Sequence, residues 1–434
     1  MRGFFDASAN GKPTIPLLPQ CSSCGLFRHC RSPKMPVAGR GKRNILIVGE
    51  GPGENEDDQG KPFVGKAGQF LRDRLRAVGI DADRDCWITN AIICRGKNRP
   101  PTEKEISFCR PNLVRAVKEL SPDVIIPLGA HAIKSVIGWA WEEDTRGVDR
   151  WTGQVIPSRV PNAWIVPTWH PSYLLRRGSE KGAEVLTLLM EKHLWQAARK
   201  KGKPWGTGGD GIGSLSDRGG LASSLSHVGG VRKRPDDSPL PPDYRKRVEV
   251  MMDPSAAAGR LAAMIDIGKP IAFDLECDSL KPDRKDVGII CCAVSDGEDT
   301  IAFPWHGDAI RAMKDLLRSD VGKIGWNIRY ETRWIKAKLG IWVRNWVWDG
   351  IIAAHTLDNR PGTKSLDYQA FVQLGYPPWD HEVRSFAKAK GKGGNVKNKM
   401  RECDLRKLMT YCGIDALLEW EIAKKQARKM GVRL

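Results

Sequence analysis

Three sets of side chains in this 434-residue chain are spaced to do chemistry. The first is made of thiols: Cys21 and Cys24 stand as C-x2-C, and Cys94 and Cys109 follow as C-x14-C. Four thiolates in this order suit a metal centre, either an iron–sulfur cluster or a structural zinc, with ordinary buried thiols as the plain alternative. Cys30 is near enough to compete as a ligand, whereas Cys86 falls in an apolar run and reads as core. The second set is carboxylic. Asp274 and Glu276 are two residues apart in the β-like run PIAFDLECDSL, so both point to one face, where like charges are costly unless a cation sits between them. Asn327 and Glu331 in GWNIRYETRWI, and Tyr411 and Asp415 in YCGIDALLEWEI, are each four apart and hence neighbours on one helical turn. The third set is Glu50, Asn90 and His170, with Gly129, each at or near the end of an expected strand.

These groups need a frame, and the hydrophobic pattern supplies one. Apolar β-branched runs at 44–48, 86–93, 123–128 and 164–168 alternate with helical patterns at 69–78, 103–120, 130–137 and 184–200. Such alternation predicts a parallel sheet covered on both faces, with ligands bound at the carboxyl ends of its strands. The loop that follows the first strand, GEGPGENEDDQGKPFVGKAG over 49–68, turns sharply at Gly49, Gly51 and Gly53. It does not match G-x-G-x-x-G and no Lys-Ser/Thr follows, so a nucleotide-cofactor loop is not read here.

Composition sets the partners and the domain count. A formal net charge of +19 favours a polyanion, and nucleic acid leads. Eleven cysteines without an apolar leader point to cytoplasmic thiols rather than a secreted disulfide scaffold. No run reaches the roughly 18 apolar residues of a membrane span, so no membrane partner is expected. Gly, Ser, Asp and Arg replace periodic apolar residues between about 200 and 242, which predicts a flexible tether. The expected organisation is therefore a first domain at 1–200, a linker at 201–245 and a second domain at 246–434.

Five segments of the first domain carry a resemblance: CSSCGL at 21–26, GEGPGENED at 49–57, GKPFVGKAG at 60–68, TNAIICRGKNRPPTEKEISFC at 89–109, and HPSYLL at 170–175. In this order they resemble the family 4 uracil-DNA glycosylases, which bear a 4Fe–4S cluster. The resemblance implies a three-layer αβα sandwich on a parallel sheet, with Cys21, Cys24, Cys94 and Cys109 holding the cluster. It further implies that Phe63 stacks on uracil and that Asn90 reads its edge and rejects cytosine. His170 would hydrogen-bond the uracil O2 as charge develops, and Glu50 would orient or activate water for attack at the sugar C1′. Gly51, Pro171 and Ser172 would line the same pocket, and Glu56 would stand near uracil C5, disfavouring the thymine methyl. A related group attacks the sugar through a loop His, but RGKNRPP at 95–101 has none, so no covalent product is expected.

The second domain resembles the DEDD superfamily of 3′–5′ exonucleases, in the branch with Tyr in its third motif, as in the proofreading domains of family A DNA polymerases. D-x-E at Asp274/Glu276, N-x3-E at Asn327/Glu331 and Y-x3-D at Tyr411/Asp415 carry it, together with WDGIIAAHTLDNRPGTKSLDYQA at 348–370. The resemblance implies a ribonuclease H-like α/β domain with a mixed sheet and a two-metal site for Mg²⁺ or Mn²⁺. Asp274, Glu276 and Asp415 would ligate the ions and Tyr411 would position the attacking water. Glu331 stands where Asp is commoner, and its extra methylene bears on the second-metal shell. The Lys-rich loop 388–401 is a candidate for strand phosphates, and most of Trp326, Trp334, Trp342, Trp346 and Trp348 are expected in the core, with one or two left for base stacking.

The arrangement resembles the front half of certain bacteriophage DNA polymerases with the polymerase domain missing. It implies an enzyme that acts on uracil-containing DNA, single- or double-stranded, in a bacterial or phage-infected cytoplasm, beside a separate DNA polymerase. The alternative reading makes the first domain a catalytically silent iron–sulfur module that grips DNA for the exonuclease or the polymerase.

Overall fold

The computed structural model describes residues 19–96, 99–141, 145, 147–178, 182–206, 243–387 and 396–434. The chain divides into two compact units, the first described as far as Gly206 and the second from Asp243. The expected tether lies in its 207–242 part outside the described residues, as do 388–395 of the Lys-rich loop. At its edges there are contacts that pattern does not reveal. Lys203 donates to the Pro122 carbonyl at 2.7 Å and the Trp205 indole to the Pro157 carbonyl at 2.8 Å, so the first unit extends past Lys200. Tyr244, expected in the linker, is buried against Tyr376 with ring centroids 4.9 Å apart.

Five strands form the first sheet: β1 (Ile45–Gly49), β2 (Cys86–Asn90), β3 (Val124–Pro127), β4 (Ile156–Ser158) and β5 (Ala163–Ile165). Their order is β2-β1-β3-β5-β4, parallel throughout except that β4 runs against β5 at the edge. Parallel neighbours need crossovers, and the helices Lys66–Ala77 and Glu103–Leu120 supply them after β1 and β2. Every residue of β1 is buried, the mark of a strand covered on both faces. On one face Ile45, Ile47, Ile88, Val124 and Ile126 pack against Leu71, Leu75, Met190 and Leu194 of the helices Lys66–Ala77 and Ala183–Ala198. The helix Glu103–Leu120, which carries Cys109, starts at a capping box: Thr102 accepts from the Glu105 amide, and the Glu105 carboxylate accepts from the Thr102 amide.

The second unit is built on a six-stranded mixed sheet of β6 (Glu249–Val250), β7 (Ile271–Cys277), β8 (Ile289–Ser295), β9 (Thr300–Pro304), β10 (Lys323–Gly325) and β11 (Trp346–Asp349). The order is β11-β10-β7-β8-β9-β6, with antiparallel pairing of β7, β8 and β9 flanked by parallel pairs. Alternation along β7 sends Phe273, Leu275 and Cys277 into one core with Leu261, Met313 and Leu316. Asp274 and Glu276 take the opposite face, where the 26-residue helix Leu405–Met430 lies: the Cys412 thiol donates to Asp274 Oδ2 at 3.4 Å. Of the tryptophan group Trp334 is fully buried, whereas Trp342 is 63% exposed with the Lys336 ammonium over its ring.

Phe273 is fully enclosed in this core, so Phe273→Ala is expected to destabilise the second unit by about 3 to 5 kcal/mol. Denaturant unfolding checks it, and an unchanged midpoint would contradict the packing described.

Candidate active sites

The first site forms where parallel strands end together. Gly49 of β1 lies opposite Asn90 of β2, so the loop after β1 and the Asn90 side chain leave the sheet at one edge. A Cβ on Gly49 would fall 2.4 Å from Asn90 Oδ1 and 2.5 Å from the Phe63 ring, so only glycine lets those two side chains meet there. Phe63 is buried, sits at φ 57°, and has its carbonyl held by the Arg72 guanidinium. The Phe63 and His170 ring centroids are 6.1 Å apart. Gly129, at φ 80°, leaves space for His170, whose Cβ would lie 2.8 Å from a Cβ added there.

His170 caps the helix Pro171–Arg177, and that cap decides its tautomer. The Ser172 amide donates to His170 Nδ1 at 3.2 Å, which leaves the ring proton on Nε2. Ser172 Oγ is 2.8 Å from the same Nδ1 and accepts from Arg176. Burial pushes the imidazole below its ordinary value, partly opposed by the Glu50 charge, so the ring is neutral with one N–H free to donate.

Glu50 follows β1 directly. Burial works against its charge, but a hydrogen bond from His131 and the fields of His131, His170 and Arg176 outweigh it, holding the carboxyl below its usual range. His131 Nδ1 lies 2.8 Å from Glu50 Oε2. This histidine was missed in the sequence; the available signal was its place in the first turn of the helix Gly129–Ile137, at the same sheet edge. Glu56 Oε1 accepts from the Gly65 amide at 2.9 Å, which ties the loop across itself. Gly51 packs on Ile92, and Pro171 is buried at the start of the capped helix.

Beside this edge Cys21, Cys24, Cys94 and Cys109 line one cavity with Leu26, Phe27, Ile92, Ile93, Phe108 and Asn112. The Lys34 amide donates to Cys94 Sγ at 3.3 Å and Asn112 Nδ2 to Cys109 Sγ at 3.6 Å. Burial raises Cys24 and brings Cys109 to about 11, while Cys94 is raised by its hydrogen bond with Cys30 and then by burial. Cys86, within β2, is pushed up to about 12 by burial, as a core thiol is.

In the second unit Asp274, Glu276 and Asp415 place ligand oxygens within 4.8 Å of one another, and no other such His, Cys, Asp or Glu group occurs among the described residues. The Trp379 indole donates to Asp415 Oδ1 at 2.7 Å, and Tyr411 bonds the same carboxyl from one turn earlier. Glu331, on the helix Ile328–Leu339, stays outside that group; it is buried, and its Oε2 has no hydrogen-bond partner. Asp349 accepts from the Asn327 and Ile328 amides and so fixes the start of that helix. Glu419 was also missed. It is one turn beyond Asp415, buried with Oε2 unpartnered, and it feels the charges of Asp274, Glu331 and Asp415. Its four-residue spacing from Asp415 was the signal.

Desolvation brings Asp274 to about 6, although the residue keeps some solvent contact, and it raises Glu276, Glu331 and Asp415 further, with Asp274 adding to each. Carboxyls raised in the folded state stabilise it at low pH and lose that contribution as pH climbs through their folded values. Without added metal the second unit is therefore expected to lose stability between about pH 4, the unfolded Asp value, and pH 6, where Asp274 ionises. Mn²⁺ at neutral pH should restore it, by about 2.7 kcal/mol at a hundredfold excess over Kd. Thermal scans with and without Mn²⁺ check this, and a metal-insensitive midpoint would contradict it.

Residues 36–197 match the Uracil DNA glycosylase superfamily and residues 250–430 a 3′–5′ exonuclease family. A type-4 uracil-DNA glycosylase of Thermotoga maritima is 37% identical over 174 residues, which cover 40% of this chain and 87% of that protein. A DNA polymerase of Bacillus phage SP01 is 24% identical over 339 residues, 75% of this chain but only 34% of that polymerase. Among solved structures, RNase D of Escherichia coli overlays on 42% of this chain and 45% of its own, with a TM-score of 0.34 and 15% identity. Through its first unit the chain belongs to the type-4 uracil-DNA glycosylases, and a 3′–5′ exonuclease domain similar to a polymerase proofreading domain is fused behind it.

Proposed function

We propose that the chain excises uracil from DNA with its first unit and removes nucleotides from 3′ ends with its second, as a hydrolase of DNA repair and replication. The observation that supports excision most strongly is the gathering of Glu50, Phe63, Asn90 and His170, the last with Nδ1 engaged by the Ser172 amide, at one sheet edge. A uracil turned out of the stack lies on Phe63, and the Asn90 carboxamide matches its edge. His170 Nε2–H donates to O2 as the departing base gains negative charge, and its neutral ring suits a donor that must not itself carry the proton away. Glu50, still ionised, orients water toward C1′ and steadies positive charge on the sugar. Glu56 braces the pocket loop and borders the C5 side of the base.

Cys21, Cys24, Cys94 and Cys109 would hold a 4Fe–4S cluster. Their shared apolar cavity and the N–H groups aimed at two of the sulfurs fit such a group. A single zinc fits less well: it would draw its four sulfurs to about 3.8 Å from one another, and no three of the described thiols approach within 4.8 Å. Bound there, the cluster supplies structural hold on the loops beside the DNA. In the second unit Asp274, Glu276 and Asp415, with Glu331 behind them, would hold Mg²⁺ or Mn²⁺, which supply charge neutralisation at the scissile phosphate. Tyr411 orients the attacking water. The net charge of +19 suits a DNA partner, and the likeness to a phage polymerase supports a separate polymerase partner in a bacterial or phage-infected cytoplasm. No described helix is long and apolar enough to cross a membrane.

A 5′-labelled oligonucleotide with one internal uracil, incubated in EDTA and then treated with alkali, should break at the uracil and not at a thymine control. His170→Ala should slow that excision by roughly 100- to 1,000-fold, the cost of losing one donor to a developing anion. No uracil-dependent break from wild-type protein would refute the excision reading.

A further inference from the structure

Excision as proposed asks Glu50 to stay ionised and to keep one orientation, and burial opposes the first. The Glu50 backbone is held, its carbonyl accepting from the Ile92 amide at 3.1 Å, so what remains to be fixed is the side chain. Its side chain is 38% exposed and borders an open groove lined by Gly53, Glu54, Arg95 and Arg99, which leaves room for other orientations. Among the described residues, one side chain bonds it, and that is His131.

We propose that His131 is a positioning residue for Glu50: its Nδ1–H donates to Oε2, pins the carboxylate at the sheet edge, and leaves Oε1 to hold the attacking water. The inference rests on the glycosylase reading and adds to it a residue outside the expected pocket. His131 is well placed for the task because its neighbours Ala132 and Ile133 are fully buried, so the first turn of its helix is fastened to the core. Other charged or titratable groups act on Glu50 from the remaining sides without a bond to it: His170 from the segment after β5, and Arg176 from the helix Pro171–Arg177. Both favour the ionised carboxylate through their fields, and neither fixes where it points. Removing His131 takes away the bond and one of three favourable fields and leaves burial, the largest influence, pushing toward the protonated carboxyl, a weaker acceptor with no charge to steady the sugar.

The test uses the full chain in EDTA with single-turnover excision from a uracil oligonucleotide, DNA binding measured separately, and rates taken from pH 5 to 9. His131→Leu keeps the bulk and removes the donor. It should lower the excision rate about 100-fold at pH 7, leave DNA affinity within twofold, and give a rate that climbs with pH as Glu50 regains its charge. His131→Asn places an amide N–H near the position of Nδ1–H and should recover most of the rate with a wild-type pH profile. Excision by His131→Leu at the wild-type rate would overturn the proposal. So would equal loss in both variants with unchanged pH dependence, which marks a packing role. If the leucine variant does not fold, the asparagine variant decides: a rate near wild type supports the donor role, and a 100-fold loss in folded protein overturns it. Absence of excision in wild-type protein would instead remove the glycosylase reading and this inference with it.

Discussion

Parallel strand pairing brings residues that are far apart in the chain to one edge of a sheet, and the first unit depends on it. β1, β2, β3 and β5 end on the same side, so Glu50, Asn90, His131 and His170 gather there although 120 residues separate the first from the last. Closeness has a steric condition. Gly49 has to be glycine because a Cβ would clash with both Asn90 and Phe63, and Gly68 has to be glycine because a Cβ would fall 1.8 Å from the Phe63 carbonyl. The loop glycines thus shape a pocket wall rather than cradle a phosphate.

The two units treat buried charge in opposite ways. In the first, the Glu50 carboxylate has a partner in His131, and burial disfavours charge on His170, whose Nδ1 accepts from the Ser172 amide. In the second, Asp274, Glu276 and Asp415 face one another with a tryptophan and a tyrosine as their neutral partners, and Glu331 and Glu419 keep unpartnered oxygens nearby. Burying like charges without a counter-ion is unfavourable, so this arrangement is shaped for cations. The two sites thus differ in how charge is compensated.

Much of this was legible in the sequence wherever a periodicity governs the geometry. Period-two alternation on β7 places Asp274 and Glu276 on one face whatever else the fold does, and strand ends locate Glu50 and Asn90 once parallel pairing is inferred. Residues set by tertiary contact were not legible. His131 and Glu419 lie in helices, and only the packing of those helices against the sheets turns their side chains to the sites. Trp205 reads as tether by composition, but its indole finds the Pro157 carbonyl 48 residues earlier. Glu331 has the spacing of its motif, yet the structure holds it outside the group formed by the other three carboxylates.

The central claim is that one chain holds two chemistries, each confined to its own unit. Asn90→Ala and Asp274→Ala, assayed on one doubly labelled uracil oligonucleotide with and without Mg²⁺, test it most directly. A clean exchange is expected: the first variant loses uracil-dependent breaks in EDTA and keeps Mg²⁺-dependent 3′ shortening, and the second does the reverse. Loss of both activities in either folded variant would contradict it.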